Sequence, residues 1–233
     1  MLRVNQLVGF GAGRRGGGGG NDANTLLLLH CDGTDASTTF TDSSASARTV
    51  TAVGNTQIDT AQSKFGGGSG LFDGSGDYLS VPDSADWLQA SAHTWECWFR
   101  TSTVTGNHTI IGQSASDGNH ESVISLNGTA VLWQYYETGA YRWSLSGGTI
   151  AVNTWYHIAA VKNGSSQVLY LDGVSVDSAA STFTMLNIAA PLLIGYNNYA
   201  PVPRYWNGWI DEVRISNIAR WTTGFTPPTV PYS

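Results

Sequence analysis

The strongest constraint on the fold is a run of three short β-rich segments joined by two turn signals at residues 153–177. The run reads NTWYHIAAVKNGSSQVLYLDGVSVD, with Asn163-Gly164 after the first segment and Asp172-Gly173 after the second. Asp-Gly between two β-rich runs is a strong hairpin signal, because both central residues of such a turn must accept a positive φ angle. The pattern predicts an antiparallel meander.

From Thr25 onward, the rest of the chain also consists of short apolar runs separated by Gly, Asn, Asp and Ser. In HTWECWFRT, residues 93–101, Trp95, Cys97 and Phe99 alternate with residues of a second set, as in a strand between two packed layers. A helical period persists nowhere for the length of an ordinary helix. Only 12% of the residues are charged, against about 25% in a typical protein. These features predict an all-β fold, a two-sheet antiparallel β-sandwich.

The N-terminal residues 1–22 differ in composition from the remainder, residues 23–233, which are predicted to form one domain. A short apolar patch is followed by five consecutive glycines from Gly16, and such a run maximises backbone freedom. Residues 1–22 are therefore expected to form a flexible Gly-rich arm. The patch is either a disordered tail or a segment that becomes ordered on insertion into another subunit. Neither a signal peptide nor a membrane-spanning stretch of ~20 apolar residues is recognisable.

Charge and cysteine content exclude some partners and scaffolds. The net charge is −6 and the basic residues form no cluster beyond Arg14-Arg15, so no nucleic-acid partner is expected. Cys31 and Cys97 are too few for a disulfide framework. We expect two buried thiols in strands, with a single bridge between them as the alternative.

Four motifs, in this order, resemble the concanavalin A-like lectin/glucanase superfamily, in particular its laminin-G-like domains. They are GSGDYLSVPDS, HTWECWFR, NTWYHIAAVKNGSSQVLYLDGVSV and YWNGWIDEVRISNIARW. The resemblance implies a jelly roll of two curved sheets. Members of the superfamily include lectins, carbohydrate-binding modules, adhesive modules and glycoside hydrolases, so the fold alone does not choose a function.

The Gly-rich arm and the NDANTLLLLHCDGTDASTTFTDSS segment that follows it are similar to laminin-G-like proteins encoded by tailed bacteriophages. That resemblance implies a virion protein that decorates the head or tail and is assembled in the host cytoplasm. It further implies contacts with other virion subunits through residues 1–22 and an oligomeric state on the particle.

The acidic residues give no pattern for glycoside hydrolysis. Retaining glycosidases need two carboxylates ~5 to 5.5 Å apart, and the hydrolases of the superfamily carry a Glu-x-Asp-x-Glu type pattern that this chain lacks. The nearest pair, Asp211-Glu212, consists of adjacent strand residues that point to opposite faces. No Gly-x-Ser-x-Gly elbow is present either. The chain is expected to be no enzyme.

Asp211 is the candidate centre of a metal site. On a regular strand it shares a face with Trp209, Val213 and Ile215, and a carboxylate buried there needs hydrogen-bond donors or a cation. Hard oxygen ligands favour calcium, and the resemblance implies calcium held by Asp211 and Asp32, with Asp73 as a weaker third. Alternatively, Asp211 accepts backbone N–H bonds, or a β-bulge at Asn207-Gly208 shifts the alternation and removes its burial.

Two aromatic clusters, LWQYYETGAYRWS at 132–144 and YNNYAPVPRYWNG at 196–208, supply candidate ligand-binding residues. Sugars present apolar faces and hydroxyl edges, which aromatic rings and amide or guanidinium donors complement. Tyr135 and Tyr136 are adjacent on a strand, so at least one of them faces outward. The clusters are alternatively subunit contacts. The candidates are Tyr135, Tyr141, Trp143, Tyr196, Asn197, Asn198, Tyr199, Arg204, Tyr205 and Trp206.

These observations predict a non-enzymatic virion structural protein that is anchored by its arm and displays a lectin-like domain for binding surface glycans. The alternatives, in descending order, are a free carbohydrate-binding or adhesive module and an endo-acting glycoside hydrolase.

Overall fold

The computed structural model describes residues 20–88, 91–115, 120–197 and 203–233. One 3₁₀ turn, Ala85–Trp87, interrupts an otherwise β structure in these ranges, and no helix there has the length and apolar character to cross a bilayer. The strands are β1 (Thr25–Leu29), β2 (Thr51–Val53), β3 (Gln57–Asp59), β4 (Ser69–Asp73), β5 (Tyr78–Val81), β6 (Ala92–Thr101), β7 (Asn107–Ser114), β8 (His120–Asn127), β9 (Ala130–Glu137), β10 (Ala140–Gly147), β11 (Trp155–Asn163), β12 (Ser166–Leu171), β13 (Val174–Ala180), β14 (Leu192–Ile194), β15 (Tyr196–Asn197), β16 (Arg204–Tyr205) and β17 (Asn207–Ser216).

Two antiparallel sheets form the sandwich, which confirms the predicted fold class. Sheet A has the strand order β13-β12-β11-β6-β17-β4-β3, with β1 also paired to β17. Sheet B has the order β10-β9-β8-β7-β14-β5-β2. The short strands β15 and β16 pair only with each other among the described strands, and we call them the hairpin.

The meander predicted from residues 153–177 is present as β11, β12 and β13. Leu171 pairs with Val174, so Asp172-Gly173 lies between paired strand ends, and Asn163 pairs with Ser166 across a turn that begins at Gly164. Asp172 and Gly173 have φ angles of 49° and 76°, the positive values that this two-residue turn requires.

The core lies between the sheets and takes alternate residues from each strand. On β6, Trp95, Cys97 and Phe99 are fully buried in the main apolar cluster, as their alternation predicts. Cys31 and Cys97 are free buried thiols, so the alternative of a bridge between them is wrong. Burial raises the pKa of both thiols well above the ordinary value.

The outer face of sheet A is covered by the chain segment 217–233. Trp221 packs with Ala159, Val161 and Tyr170 in a second apolar cluster. The same face buries the ion pair of Glu96 with Arg214, whose Nη2 lies 2.6 Å from Glu96 Oε1. Apolar rings and a paired charge therefore close the part of this face that carries Trp221 and Glu96 to solvent.

Strand β17 contains a β-bulge that changes which of its side chains reach the core. Opposite β6, the register shifts between Asp211 and Arg214, and Glu212 has a φ of 50°. Ile210, Val213 and Ile215 belong to the main core. The prediction that Asp211 shares a face with Val213 and Ile215 is wrong, because the extra residue after Asp211 brings these two to the core while Asp211, next to core Ile210, stays on the outer face with Trp209.

Residues 20–22 join the sandwich next to Ser233. The amide of Asn21 donates to the carbonyl of Ser233 at 2.9 Å, and Asp22 forms an ion pair with Arg220 at 2.8 Å. The bond to Arg220 outweighs partial burial and lowers the pKa of Asp22 to about 2. Both contacts lie on the sheet A side of the molecule, since Arg220 also bonds Ser216 of β17.

Candidate functional site

Sheet B has an outer face that carries aromatic and polar side chains. On β9 the side chains of Trp133 and Tyr135 enter the core, so the alternating Gln134 and Tyr136 point outward, each partly exposed. This outcome confirms that Tyr135 and Tyr136 do not both face inward. Gln134 Nε2 donates to Ser144 Oγ at 2.8 Å on the neighbouring strand. The edge of this face at β9 and β10 therefore presents amide, hydroxyl and phenol groups.

Three tyrosines with rings in contact form a group that we call the tyrosine platform: Tyr78, Tyr196 and Tyr205. The rings of Tyr196 and Tyr205 are stacked with centroids 4.6 Å apart and planes 13° apart. The ring of Tyr78 lies 5.0 Å from that of Tyr196. Tyr78 is on the outer face of β5, since Leu79 and Val81 belong to the core. All three side chains are half-buried, so the group retains exposed ring surface.

Polar side chains fix the hairpin that carries two of these tyrosines. Asn197 is buried; its amide nitrogen donates to Glu121 and its amide oxygen accepts from the hydroxyl of Ser114. Burial raises the pKa of Glu121, an effect that the positive charge of Arg204 and the Asn197 bond oppose. His108 Nδ1 lies 2.8 Å from the carbonyl oxygen of Tyr205.

Three predicted ligand-binding residues belong to the core instead. Tyr135, Trp143 and Trp206 are 0%, 4% and 0% exposed, so their assignment to a ligand surface is wrong. The ring of Tyr135 packs against that of Trp143 at 5.0 Å, and the ring of Trp206 packs edge-on to Phe99 at 5.7 Å. The alternation that exposes their strand neighbours turns these side chains inward.

The other candidates fall into four groups. Tyr196, Arg204 and Tyr205 lie together at the hairpin and are partly exposed. Tyr141 is 48% exposed and contacts Tyr136 at 5.3 Å, at the far end of the same face. Asn197 is buried in the hairpin and bonds Glu121 and Ser114 of sheet B. Asn198 and Tyr199 lie outside the described residues, so their assignment stays a prediction.

Sequence reasoning missed Tyr78 and Glu121. The alternation in DYLSVP contained the signal for Tyr78, because an inward Leu79 and Val81 require an outward Tyr78. The sequence offered no such signal for Glu121. Its partner Asn197 is 76 residues away and comes close only because the chain folds back after β14.

The three predicted calcium ligands do not form one group. Asp211 is fully buried, with Oδ2 accepting the backbone N–H groups of Lys64 and Phe65 and Oδ1 accepting that of Glu212. Burial raises the pKa of Asp211 to about 7, and these donors oppose that shift. Asp73 is exposed near the other end of β17, opposite Asn207.

Asp32 and Asp211 are therefore the remaining pair. The described ranges hold no group of three His, Cys, Asp or Glu residues arranged to hold a metal ion. Backbone donors already supply what a buried Asp211 requires, which is one of the alternatives given above. Calcium at Asp32 and Asp211 stays a prediction.

Comparisons with known proteins place this geometry in context. The family model described as the concanavalin A-like lectin/glucanases superfamily matches residues 73–222. No curated protein sequence matches the chain. The chain resembles the binding domain of Paraclostridial Mosquitocidal Protein 1 with a TM-score of 0.66 and 15% identity, covering 84% of this chain and 49% of that chain.

Two solved structures of the binding domain of botulinum neurotoxin DC are similar as well. One is in complex with SialylT and has a TM-score of 0.65, 14% identity and coverage of 84% of this chain and 48% of that chain. The other is in complex with rat synaptotagmin II and has a TM-score of 0.64, 13% identity and the same two coverages. This chain spans about half the length of these structures, and at such identities the likeness concerns the fold.

Proposed function

The chain belongs to the concanavalin A-like lectin/glucanase superfamily, and we propose that it is a non-enzymatic module that binds surface glycans through the tyrosine platform. The observation that carries the proposal is the contrast between the two outer faces. Segment 217–233 covers the part of sheet A around Tyr170, whereas sheet B presents three half-buried tyrosine rings in contact, two of them stacked. Exposed aromatic rings grouped on one face mark a contact surface.

The chemistry of the face suits a sugar. A sugar ring presents an apolar C–H face that stacks on phenol rings, and its hydroxyl groups accept and donate hydrogen bonds. Arg204 adds a positive charge at the hairpin, and towards the opposite edge of the same face Gln134 and Ser144 carry neutral amide and hydroxyl groups. Two structures of a similar fold were solved as complexes, one with SialylT and the other with rat synaptotagmin II. They support either a glycan or a protein as the ligand. The neutral polar groups on the same face as the rings favour a glycan.

A glycan array tests this function. The full-length chain and its Tyr205→Ala variant, which lacks one ring of the platform, are each applied with calcium and with chelator. We expect selective retention by the unmodified chain and weaker retention by the variant. Absence of binding to every glycan would overturn the proposal and favour subunit contacts at the same rings.

The absence of enzymatic activity forms part of the proposal. The buried carboxylates each have a structural partner: Glu96 bonds Arg214 and Glu121 bonds Asn197, while Glu212 accepts from the amide of Tyr232 at 2.9 Å. A paired carboxylate of this kind holds the fold together and is not free to act on a glycosidic bond. A retained glycan is expected to be recovered intact from the protein, and shortened products would contradict this.

We further propose that the module is displayed on a tailed-phage virion through residues 1–22. The support is the likeness of the Gly-rich junction to such proteins, together with the junction's position. Residues 20–22 join the molecule on the sheet A side, away from the platform. Removing residues 1–19 leaves the bond between Asn21 and Ser233 in place. The truncated chain is expected to keep its melting temperature and to lose incorporation into particles; retained incorporation would favour a free carbohydrate-binding module.

A further inference from the structure

A buried acid lies beneath the exposed tyrosines. Glu121 is on the outer face of β8, is 6% exposed, and accepts a hydrogen bond from the amide nitrogen of Asn197. Ser114 on the neighbouring β7 holds the oxygen of the same amide. The Asn197 side chain is therefore fixed at both ends by sheet B.

The same carboxylate acts on both strands of the hairpin. Asn197 and Arg204 are directly opposite each other in its register, and the positive charge of Arg204 attracts Glu121. Directly opposite residues lie on the same side of a β-ladder. The next pair of the ladder is Tyr196 and Tyr205, whose rings are stacked. A group that fixes one pair thus fixes the orientation of the other.

We propose, on the basis of the glycan-binding function above, that Glu121 is a positioning residue whose ionised carboxylate holds the hairpin on sheet B and so assembles the tyrosine platform. Glu121 does not itself contact the ligand. Its charge orients the rings of Tyr196 and Tyr205 against Tyr78. A chain without that charge samples hairpin positions in which the platform is incomplete, and its apparent affinity falls by the fraction that remains competent.

In this role the ionised Glu121 increases the order of the hairpin but lowers the stability of the whole domain. Burial of Glu121 raises its pKa, so the ionised side chain opposes folding. Glu121→Gln keeps an oxygen for the Asn197 bond and removes the charge that must be buried. The variant is therefore expected to melt at or above the temperature of the unmodified chain while its hairpin becomes looser. A residue that merely stabilised the fold would shift both measurements in the same direction.

Hydrogen exchange of the full-length Glu121→Gln chain tests the proposal without any ligand. We expect amides of the hairpin peptides to exchange about fivefold faster than in the unmodified chain, with core strands unchanged. Glu137→Gln is the matched control, because Glu137 accepts from the hydroxyl of Tyr135 on the core side of β9. Unchanged exchange in the hairpin, or an equal increase in the Glu137 variant, would overturn the positioning role.

Acidification provides a second readout. The difference in hairpin exchange between the two chains should shrink towards zero at mildly acidic pH, because Glu121 of the unmodified chain then loses its charge. His108, bonded to the carbonyl of Tyr205, is present in both chains, so its contribution cancels. Arg204, Tyr136, Tyr196 and Tyr205 also face this region, and all four are common to the two chains. A difference that does not change with pH would contradict a role of the charge.

The glycan array then distinguishes the proposed glycan function from the positioning role of Glu121. If the unmodified chain binds a glycan, the Glu121→Gln chain is expected to bind it about fivefold more weakly. If no glycan binds while hairpin exchange increases in the variant, the glycan function fails and the positioning role of Glu121 stands. If a glycan binds both chains equally, the positioning role fails and the glycan function stands.

Discussion

Removing the cation that pairs with Glu96 should destabilise the sandwich strongly. Glu96 is fully buried on the outer face of sheet A, where Oε1 accepts from Arg214 Nε at 2.8 Å and from Nη2 at 2.6 Å. Arg214→Met leaves a carboxylate buried without its cation, at a cost of about 3–5 kcal/mol. In a domain of this size that cost corresponds to a decrease of roughly 10 °C in melting temperature.

The pH dependence of stability should change sign in the same variant. Burial acts to raise the pKa of Glu96, but Arg214 and the other partners outweigh it and lower the pKa to about 2, below the ordinary value of 4.5. In the unmodified chain the contribution of Glu96 is therefore complete above pH 4.5 and is lost as the pH falls towards 2. Without Arg214 the dominant effect is burial, so acidification protonates Glu96 and recovers stability.

Urea unfolding of the unmodified chain, Arg214→Met and Arg214→Met/Glu96→Leu measures both effects. The double variant is expected to be more stable than Arg214→Met, because an apolar pair carries no unpaired buried charge. A loss below about 1 kcal/mol in Arg214→Met would show that solvent reaches Glu96. That result would refute the argument that segment 217–233 seals this face. A double variant no more stable than the single one would refute the unpaired charge as the cause.

Two further predictions concern the binding face and calcium. Trp206→Ala is expected to cost about 3–5 kcal/mol because the ring is part of the core, whereas Tyr205→Ala loses one stacked ring pair and about 1 kcal/mol. Thermal melts compare them, and an equal loss in both variants would place Tyr205 in the core. If calcium binds at Asp32 and Asp211, chelator lowers the melting temperature of the unmodified chain, and Asp211→Asn abolishes that sensitivity. A melt that chelator leaves unchanged would remove the calcium prediction.

Strand periodicity and turn chemistry are local properties, and for this reason the sequence predicts much of the fold. The meander β11–β13 follows from two turn dipeptides whose backbone demands are specific. The alternation on β6 assigns Trp95, Cys97 and Phe99 to the core. Both predictions depend on residues within a few positions of each other, and the structure confirms both.

The candidate site depends on contacts between distant segments, which single-sequence patterns do not encode. Tyr78 meets Tyr196 from a strand far earlier in the chain, and Glu121 of β8 meets Asn197 of the hairpin, 76 residues later. The inward direction of Trp206 reflects its position between the hairpin and β17. A sequence pattern shows that an aromatic cluster must divide between core and surface, but it assigns each ring only where the strand phase is known.

The β-bulge in β17 determines how this chain aligns with its relatives and which single-residue deletions the strand tolerates. Trp209 lies before the bulge, and Val213 and Ile215 lie after it, so the two halves of the strand are out of phase by one residue. A relative with a regular strand can be aligned correctly only with a one-residue gap at Asp211-Glu212. Deleting a single residue here would leave a regular strand that keeps Val213 toward the core and Arg214 away from it, because the bulge supplies the residue that is lost.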